Sequence, residues 1–253
     1  MRLLITNIGI LAGIDNHRKL RLSGKEMSQF ETLADAWLLV EDGRFSKWGC
    51  MAAMPAEGIS ADQTVDAQGG CVMPSWCDPH THIVYAGSRE GEFVDKIRGL
   101  SYAEIAKRGG GILNSADLLH TFSEDELYRE AMHRAEEIMR KGTGCVEIKS
   151  GYGLTTEDEL KMLRVIRRIK ESTPLRIKST FLGAHAVGRG YTQADYVDLV
   201  VNEMIPEVGR EKLADFVDVF CDEGFFTPAE TERILEAAAK WGMKPKIHAD
   251  ELA

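Results

Sequence analysis

Three histidines stand at positions that suit metal coordination. His80 and His82 are separated by one residue in an Asp-Pro-His-Thr-His segment, and His248 ends a short strand-like run. Because alternate side chains of a strand project to the same side, the imidazoles of His80 and His82 can bind one ion. Imidazole nitrogens suit zinc or iron. An isolated His-x-His pair is also common as ordinary hydrogen-bonded histidines, but a third histidine at another strand end favours a metal site.

Two further side chains could act on a substrate beside these histidines. Glu251 follows His248 by three residues, and its carboxylate could carry a proton to a leaving nitrogen. Alternatively it is a solvated loop charge or a helix-start carboxylate. His185 follows the apolar run 181–184 and is either a donor that polarises a substrate or an ordinary hydrogen-bonded histidine. Spacing alone leaves both alternatives open.

Arg89 and Tyr152 are candidates for binding a substrate carboxylate. A guanidinium binds a carboxylate through two parallel hydrogen bonds, and a phenol adds one oriented bond. Most arginines are merely surface charges, so this role remains one of two alternatives. The triplet Gly109-Gly110-Gly111 lacks the Lys-Ser/Thr pair and the glycine frame of a phosphate-binding loop, and it predicts a flexible turn.

Composition and charge exclude several classes of protein. The 253 residues are 44% hydrophobic and 28% charged, which is typical of a globular chain rather than a disordered or fibrous one. Thirty-one basic and forty acidic residues give a net charge of −9, and no basic cluster favours a nucleic acid or an anionic membrane as a partner. No apolar run approaches the ~20 residues that cross a bilayer. Five scattered cysteines without a Cys-x-x-Cys pair predict reduced thiols, and the chain is expected to be soluble and cytoplasmic.

The sequence pattern changes along the chain. We therefore predict a small β portion at 1–70 and a catalytic domain at 71–253. In the first part, strands at 3–6 and 36–40 precede a turn signal, Glu41-Asp42-Gly43-Arg44, that predicts a hairpin with the strand at 45–48. In the second part, short apolar runs alternate with amphipathic segments. These runs predict strands at 144–149, 176–182, 216–221 and 244–248.

Capping chemistry predicts where the helices begin. A Ser or Thr followed three residues later by Glu is a capping box, in which the two residues bond each other's backbone amides. The predicted boxes are Ser123 with Glu126, Thr156 with Glu159, and Thr227 with Glu230, the last with Pro228 at the first helical position. Between the second and the last of these helices, we predict a third helix at about 194–208, which has a weaker start at Thr192.

Alternating strands and helices indicate a parallel βα array, either an open sheet or part of a (β/α) barrel. Polar residues follow the predicted strands at their carboxyl ends, the rim where barrels collect catalytic groups. They therefore favour an α/β fold of the barrel type. These residues are His80 and His82, then Lys149 to Tyr152, His185, Asp222 and Glu223, and finally His248 and Glu251.

The chain also carries a set of specific segments: Val65 to Ala67, Asp78 to His82, Ala86-Gly87 with Arg89, Glu92-Phe93, Gly109 to Ile112, Glu147 to Leu154, Glu159 to Arg164, Thr180 to Ala186, Val217 to Cys221 and Lys246 to Leu252. This set resembles the imidazolonepropionase family of the metal-dependent amidohydrolase superfamily. The resemblance extends from residue 65 to the end of the chain. The residues before it resemble the family only in forming a small β region. The most specific segments are 147–153 and 248–252.

The resemblance implies a distorted (β/α) barrel joined to a small β-sandwich, with about five of eight βα units in this chain. It implies hydrolysis of 4-imidazolone-5-propanoate to N-formimidoyl-L-glutamate by a single zinc or iron ion, whose water is acidified to a pKa of about 7 and attacks the ring carbonyl. One ion is favoured over two because the fourth barrel strand ends in Phe220-Cys221 without a bridging lysine. A homodimer is compatible with the family.

Carried over by position, the resemblance assigns roles to eight residues. The metal ligands would be His80, His82 and His248. The substrate would contact Arg89, Tyr152, His185 and Glu251, with Tyr102 a weaker candidate. Glu251 and His185 would be the catalytic side chains, Glu251 by protonating the departing nitrogen.

Two alternatives remain open at this point. Another amidohydrolase could use the same fold and metal site on a different heterocycle, since neither fixes the substrate. The family continues through three more strands that include an aspartate ligand, and this sequence stops at Ala253. We therefore expect a fragment, an incompletely traced chain or a chain that needs its missing half, and an inactive metal-binding fragment is the second alternative.

Overall fold

The structure is a computed structural model that describes residues 1–15, 19, 21–88, 90–100 and 111–251. The chain divides into two compact units, Met1–Ser75 and Trp76–Ala253.

The first unit contains one five-stranded sheet. Strand β1 lies between β2, which is antiparallel to it, and β4 and β5, which run parallel to it. Apolar side chains of Ile8, Leu11 and Leu38 are buried against one another. The strands are β1 Arg2–Ala12, β2 Thr32–Glu41, β3 Arg44–Cys50, β4 Gln63–Asp66 and β5 Cys71–Val72, and short 3₁₀ turns cover Gly24–Ser28 and Met51–Ala53.

The predicted hairpin is confirmed. Glu41 pairs with Arg44, so Asp42 and Gly43 form a two-residue loop between β2 and β3. Both loop residues have positive φ, 51° and 74°. This is the conformation that a two-residue hairpin turn requires and that an Asp-Gly pair supplies at little steric cost.

The second unit is an α/β layer with a five-stranded parallel sheet in the order β10-β9-β8-β7-β6. The strands are β6 Trp76–Thr81, β7 Thr143–Lys149, β8 Arg176–Ala184, β9 Phe216–Phe220 and β10 Lys244–His248. The helices are α1 Glu90–Ile97, α2 Ile112–Thr121, α3 Glu124–Arg140, α4 Thr156–Ser172, α5 Gln193–Leu199, α6 Ile205–Glu211 and α7 Pro228–Ala239. A π-helical turn, Val200–Met204, joins α5 to α6.

Strand β7 shows why the two faces of this sheet differ. Val146 and Ile148 belong to the large apolar core together with helix residues such as Leu127 and Ile166. Glu147 and Lys149, which alternate with these two residues, are charged, and side chains alternate between the two faces of a strand. The apolar face therefore packs on the helices, and the opposite face is left to carry polar groups.

The parallel sheet curls strongly. In a flat sheet, four intervals of about 4.8 Å would separate the first and fifth strands by roughly 19 Å. The Nε2 atoms of His80, at the end of β6, and His248, at the end of β10, are nevertheless 3.4 Å apart. The curl therefore brings the carboxyl ends of the two outermost strands together across the concave face.

Two predicted capping boxes are confirmed and one is wrong. Ser123 with Glu126 and Thr227 with Glu230 each form both reciprocal hydrogen bonds. Helix α4 is instead capped by Thr155, whose hydroxyl accepts from the amide of Asp158. The prediction was one residue out of register, because Thr155 and Thr156 both precede an acidic residue by three positions. Glu159 consequently takes no part in the cap.

The third predicted helix is confirmed with longer bounds. Thr192 caps it through the amide of Asp195, and helical structure continues across the π turn to Glu211. Within the described ranges, no helix combines the length and the apolar character needed to cross a membrane.

We predict that Ser123→Ala lowers the free energy of unfolding by about 1 kcal/mol, because the amide of Glu126 loses its side-chain acceptor. Chemical denaturation of both proteins measures the change. Thr121→Ala is the matched control, since its exposed hydroxyl donates to the Leu118 carbonyl of its own helix and not to the amide of Glu126. An equal loss of stability in both variants would contradict this role for the cap.

Candidate metal centre

Two of the three predicted ligand histidines face each other through the same ring atom. The 3.4 Å between the Nε2 atoms of His80 and His248 matches the separation of about 3.3–3.4 Å that two nitrogens have on one tetrahedral ion at 2.0–2.1 Å. The same distance also admits one N–H···N hydrogen bond. The pair therefore fits a shared ion sterically.

His82 lies farther from this pair. Its ring centroid is 5.8 Å from that of His80, and its ring stacks at 5.7 Å on His185. Its Nδ1 is buried and has no hydrogen-bond partner among the residues that the structure describes. In the same part of the chain, no three His, Cys, Asp or Glu side chains converge as an ion would require. The three-histidine ligand set therefore stays a prediction.

The environment keeps the imidazoles of His80 and His82 neutral. Burial, followed by the charge of nearby Lys149, lowers the pKa of His80. Burial, followed by the neighbouring His185, lowers the pKa of His82 to about 3. A metal ion binds only the deprotonated nitrogen. Both residues are thus in the ligand-competent form at neutral pH.

Beneath the histidines lies a buried cluster of charges, the Lys149 cluster. The Lys149 ammonium group donates to Oδ2 of Asp218 at 2.6 Å and to Oε1 of Glu147 at 3.1 Å. Lys246 reaches the same Glu147 oxygen at 2.7 Å, and the hydroxyl of Thr180 also donates to it. Lys149, Glu147 and Asp218 are at most 4% exposed. Four neighbouring strands are therefore joined by ionic and hydrogen bonds on the concave face.

The Lys149 cluster was missed as a site feature by the sequence reasoning. Its signal is the alternation of charged and apolar residues in two strands otherwise expected to be buried, at 146–149 and 217–219. In a strand covered by helices on one face, charged residues at every second position indicate a polar opposite face.

Asp218 connects the cluster to the histidine pair. Its Oδ2 lies 3.0 Å from Nδ1 of His248, within ion-pair distance but without the angle of a hydrogen bond. A carboxylate on the far nitrogen of an imidazole orients the ring and raises its basicity toward a metal. Asp218 is therefore placed to orient His248 while the other nitrogen, Nε2, faces His80.

His185 and Tyr152 lie on the other side of His82. The Tyr152 ring is 5.0 Å from His82 and 5.4 Å from His185. Nδ1 of His185 lies 2.9 Å from the carbonyl oxygen of Gly151. Because a carbonyl only accepts, Nδ1 must carry the proton, and Nε2 is then the acceptor of the neutral ring.

Glu251 lies near the histidine pair but is exposed. Its backbone amide donates to Oδ2 of Asp222 at 2.9 Å. It lines an open cleft of about 600 Å³ with His80, Lys149 and His248. Arg89 and Tyr102, the other predicted substrate contacts, lie outside the described residues.

A second, smaller cavity of about 230 Å³ opens beside His82 and Tyr152 and includes Tyr85. Arg134 fixes the segment that forms its wall: one guanidinium nitrogen donates to the carbonyls of Ile83 and Tyr85, and the guanidinium stacks 3.6 Å from the Tyr85 ring. Arg134 could not be identified from the sequence either, because its role is visible only once helix α3 is packed on the sheet.

Curated relatives share this sequence closely. The imidazolonepropionase of Christiangramia forsetii is 52% identical over 253 residues, 99% of this chain and 61% of its own length. That of Flavobacterium psychrophilum is 53% identical over 254 residues, with the same coverage. That of Thermoanaerobacter pseudethanolicus is 42% identical over 90% of this chain and 55% of its own length. This chain thus spans about 60% of the relatives that it matches most fully. No protein-family model matches the sequence.

Solved structures show the same fold at low identity. A 5-methylcytosine deaminase from Klebsiella pneumoniae has a TM-score of 0.61 at 15% identity and covers 99% of this chain and 51% of its own. Guanine deaminase from E. coli has a TM-score of 0.60 at 10% identity, over 98% and 53%. An atrazine chlorohydrolase from Arthrobacter aurescens, complexed with zinc, has a TM-score of 0.57 at 15% identity, over 98% and 52%. The parallel sheet therefore has the architecture of this group of hydrolases and deaminases.

We predict that Asp218→Asn weakens Zn²⁺ binding by roughly 10- to 100-fold, because the neutral amide no longer supports His248 as a ligand. Competition with a chromophoric chelator measures the affinity. Asp215→Asn is the control, since Asp215 pairs with Lys178 and the amide of Ser179, away from the histidines. Equal affinity in wild type and Asp218→Asn would contradict the orienting role.

We also predict that His82 makes the stability of the metal-free protein decrease at acidic pH. Its pKa falls from 6.5 to about 3 on folding, so the unfolded chain binds more protons between these values. The free energy of unfolding must therefore decrease as the pH falls from 6.5 towards 3, by up to about 1.4 kcal/mol per pH unit.

Denaturation at several pH values measures this contribution as the difference between wild type and His82→Asn. The variant should lose the part of the slope that His82 contributes, whereas His133→Asn, at an exposed histidine, should keep the wild-type slope. Identical slopes in wild type and His82→Asn would show that His82 does not titrate in this way.

Proposed function

Because the chain is similar to imidazolonepropionases along 99% of its length, we propose that it acts in the hydrolysis of 4-imidazolone-5-propanoate to N-formimidoyl-L-glutamate, a step of histidine degradation. The observation that carries the proposal is the 3.4 Å approach of the His80 and His248 Nε2 atoms at the mouth of the curled sheet. A hydrolytic metal site needs neutral nitrogen ligands at this spacing.

The five-stranded sheet would be part of a larger (β/α) barrel, about five of eight units. The catalytic domain would span 71–253, and the first part, 1–70, would be a portion of a β-sandwich. The greater length of the relatives supports this proposal, since the chain spans about 60% of them.

His80, His82 and His248 would hold one zinc or iron ion. When bound there, such an ion acidifies a water molecule and polarises a carbonyl group. His82, whose ring lies 5.8 Å from that of His80, is the third ligand that the proposal requires. The zinc complex of the related fold in atrazine chlorohydrolase supports zinc as one of the two candidates.

The remaining candidates would bind the substrate and move protons. Arg89 and Tyr152 would hold its carboxylate tail, since a guanidinium and a phenol donate to such a group, and Tyr102 is a weaker candidate in the same pocket. His185, whose Nδ1 bonds the Gly151 carbonyl, would contact the ring. Glu251, at the edge of the cleft, would return a proton to the ring nitrogen as the ring opens.

The partner of this site would be a small molecule rather than a nucleic acid or a membrane, because the net charge of −9 opposes binding to phosphate backbones and anionic lipids. All five cysteines are free, which suits a cytoplasmic location. A homodimer is compatible with the proposal.

A second hydrolase function has one observation in its favour. The fold is shared with a 5-methylcytosine deaminase, a guanine deaminase and a triazine hydrolase. A heterocycle without a carboxylate tail would fit the histidine pair equally well but would leave Arg89 and Tyr152 without a function.

The proposal is tested with metal-loaded protein and 4-imidazolone-5-propanoate, by following loss of substrate and formation of N-formimidoyl-L-glutamate. We expect turnover that falls at least 100-fold in His248→Asn, because the pair loses one ligand. His133→Asn, at an exposed helix position, is the control and should keep full activity.

Turnover of a purine, pyrimidine or triazine instead would support the second function. Metal binding without turnover of any of these compounds would mean that the chain alone is a metal-binding part of the enzyme.

A further inference from the structure

Glu159 has a buried carboxylate that the proposed chemistry does not use. Its side chain is completely buried, in the first turn of α4. It accepts hydrogen bonds from three backbone amides: Gly151 at 3.0 Å, Gly153 at 2.8 Å and Leu154 at 3.1 Å. A carboxylate in this position costs free energy unless several donors compensate its lost hydration. Burial raises its pKa, and the bonds from Ser150 and the three amides act against that effect.

The three amides belong to one segment, Ser150–Leu154, which we call the Tyr152 loop. The loop is not held by regular secondary structure. Leu154 has a φ of +55°, a left-handed conformation that is unfavourable for a residue with a branched side chain. Gly153 lies so close to α4 that an added Cβ would be 2.5 Å from the amide nitrogen of Glu159. The Glu159 carboxylate thus holds three backbone amides of the Tyr152 loop close to the start of α4.

This loop carries two elements of the site. It presents the Tyr152 ring, 5.0 Å from His82 and 5.4 Å from His185. It also presents the Gly151 carbonyl, which accepts from Nδ1 of His185 at 2.9 Å. The amide of Gly151, which is bonded to Glu159, and the carbonyl of Gly151, which is bonded to His185, belong to the same residue. A shift of the Glu159 contact therefore moves the acceptor that fixes the proton on Nδ1.

A purely structural explanation is that Glu159 caps α4. Two observations oppose it. The capping contact of this helix is already made by Thr155 with the amide of Asp158, and the amides bonded to Glu159 all precede the helix. Its donors belong to the Tyr152 loop, not to the first turn.

We propose that Glu159 is a positioning residue, whose carboxylate holds the Tyr152 loop so that Tyr152 faces His82 and His185 keeps its proton on Nδ1. The inference rests on the proposed function only in that Tyr152 and His185 contact the substrate. The tautomer of His185 follows from the geometry alone. In a neutral ring with its proton on Nδ1, Nε2 of His185 is an acceptor and not a donor.

The test is ¹H–¹⁵N correlation NMR of the histidine side chains, which distinguishes the two neutral tautomers, combined with steady-state kinetics. Wild-type His185 should be the Nδ1–H tautomer, assigned by its loss in His185→Asn. In Glu159→Gln, a side-chain NH₂ would face the Gly151 amide, and the Nδ1–H population should fall. The value of kcat/KM should fall roughly 10- to 100-fold, with Zn²⁺ affinity within twofold of wild type.

Glu157→Gln is the matched control, because it removes one charge from the same helix turn at an exposed position. It should leave the tautomer and the kinetics unchanged. If Glu159→Gln fails to fold, Glu159→Asp retains the charge but shortens the reach to the three amides and should give the same changes.

An Nε2–H tautomer in wild-type His185 would overturn the proposal without any variant. An unchanged tautomer and unchanged kinetics in folded Glu159→Gln would overturn it as well. Absence of turnover in the wild type would mean that this chain alone is not active, whereas the tautomer measurements would still decide the role of Glu159.

Discussion

The buried ammonium group of Lys149 is the constraint on which the concave face depends. Removing a charge from water costs several kcal/mol unless close counter-charges compensate it, and here Asp218 and Glu147 lie 2.6 Å and 3.1 Å away. These contacts connect β7 to β9, and Lys246 connects β10 to β7. The charges thus fill the concavity that the curl creates, and Asp218 also reaches His248. The same cluster that neutralises Lys149 supports the candidate metal ligand.

The two sides of the site are built by different means. On one side, His248 depends on Asp218 and so on the Lys149 cluster. On the other side, Tyr152 and His185 depend on a backbone loop that Glu159 gathers at the start of α4. His82 lies between them, buried and neutral. Each half uses a buried carboxylate to orient an imidazole or the loop beside it, so the geometry is set by groups that need not touch the substrate.

Much of this arrangement could be predicted from the sequence. The Asp42-Gly43 turn, the strand at 244–248 and the caps at Ser123 and Thr227 are determined by local chemistry, and all are confirmed. The approach of His80 and His248 follows from the common rim of parallel strands, although their action as ligands remains a prediction. The Thr156 cap was wrong because two adjacent threonines offer the same spacing. The partners of Lys149 and Glu159 were beyond reach, since they lie on other strands or on a backbone loop whose path only packing defines.

The most direct measurement of the central claim is anomalous diffraction from crystals of the zinc-loaded protein, recorded above and below the metal absorption edge. We predict one strong peak about 2.0–2.1 Å from the Nε2 atoms of both His80 and His248, with His82 as the third ligand. A metal peak elsewhere would contradict this prediction. Crystals grown with saturating zinc in which these two nitrogens share a hydrogen bond and contact no metal would also contradict it.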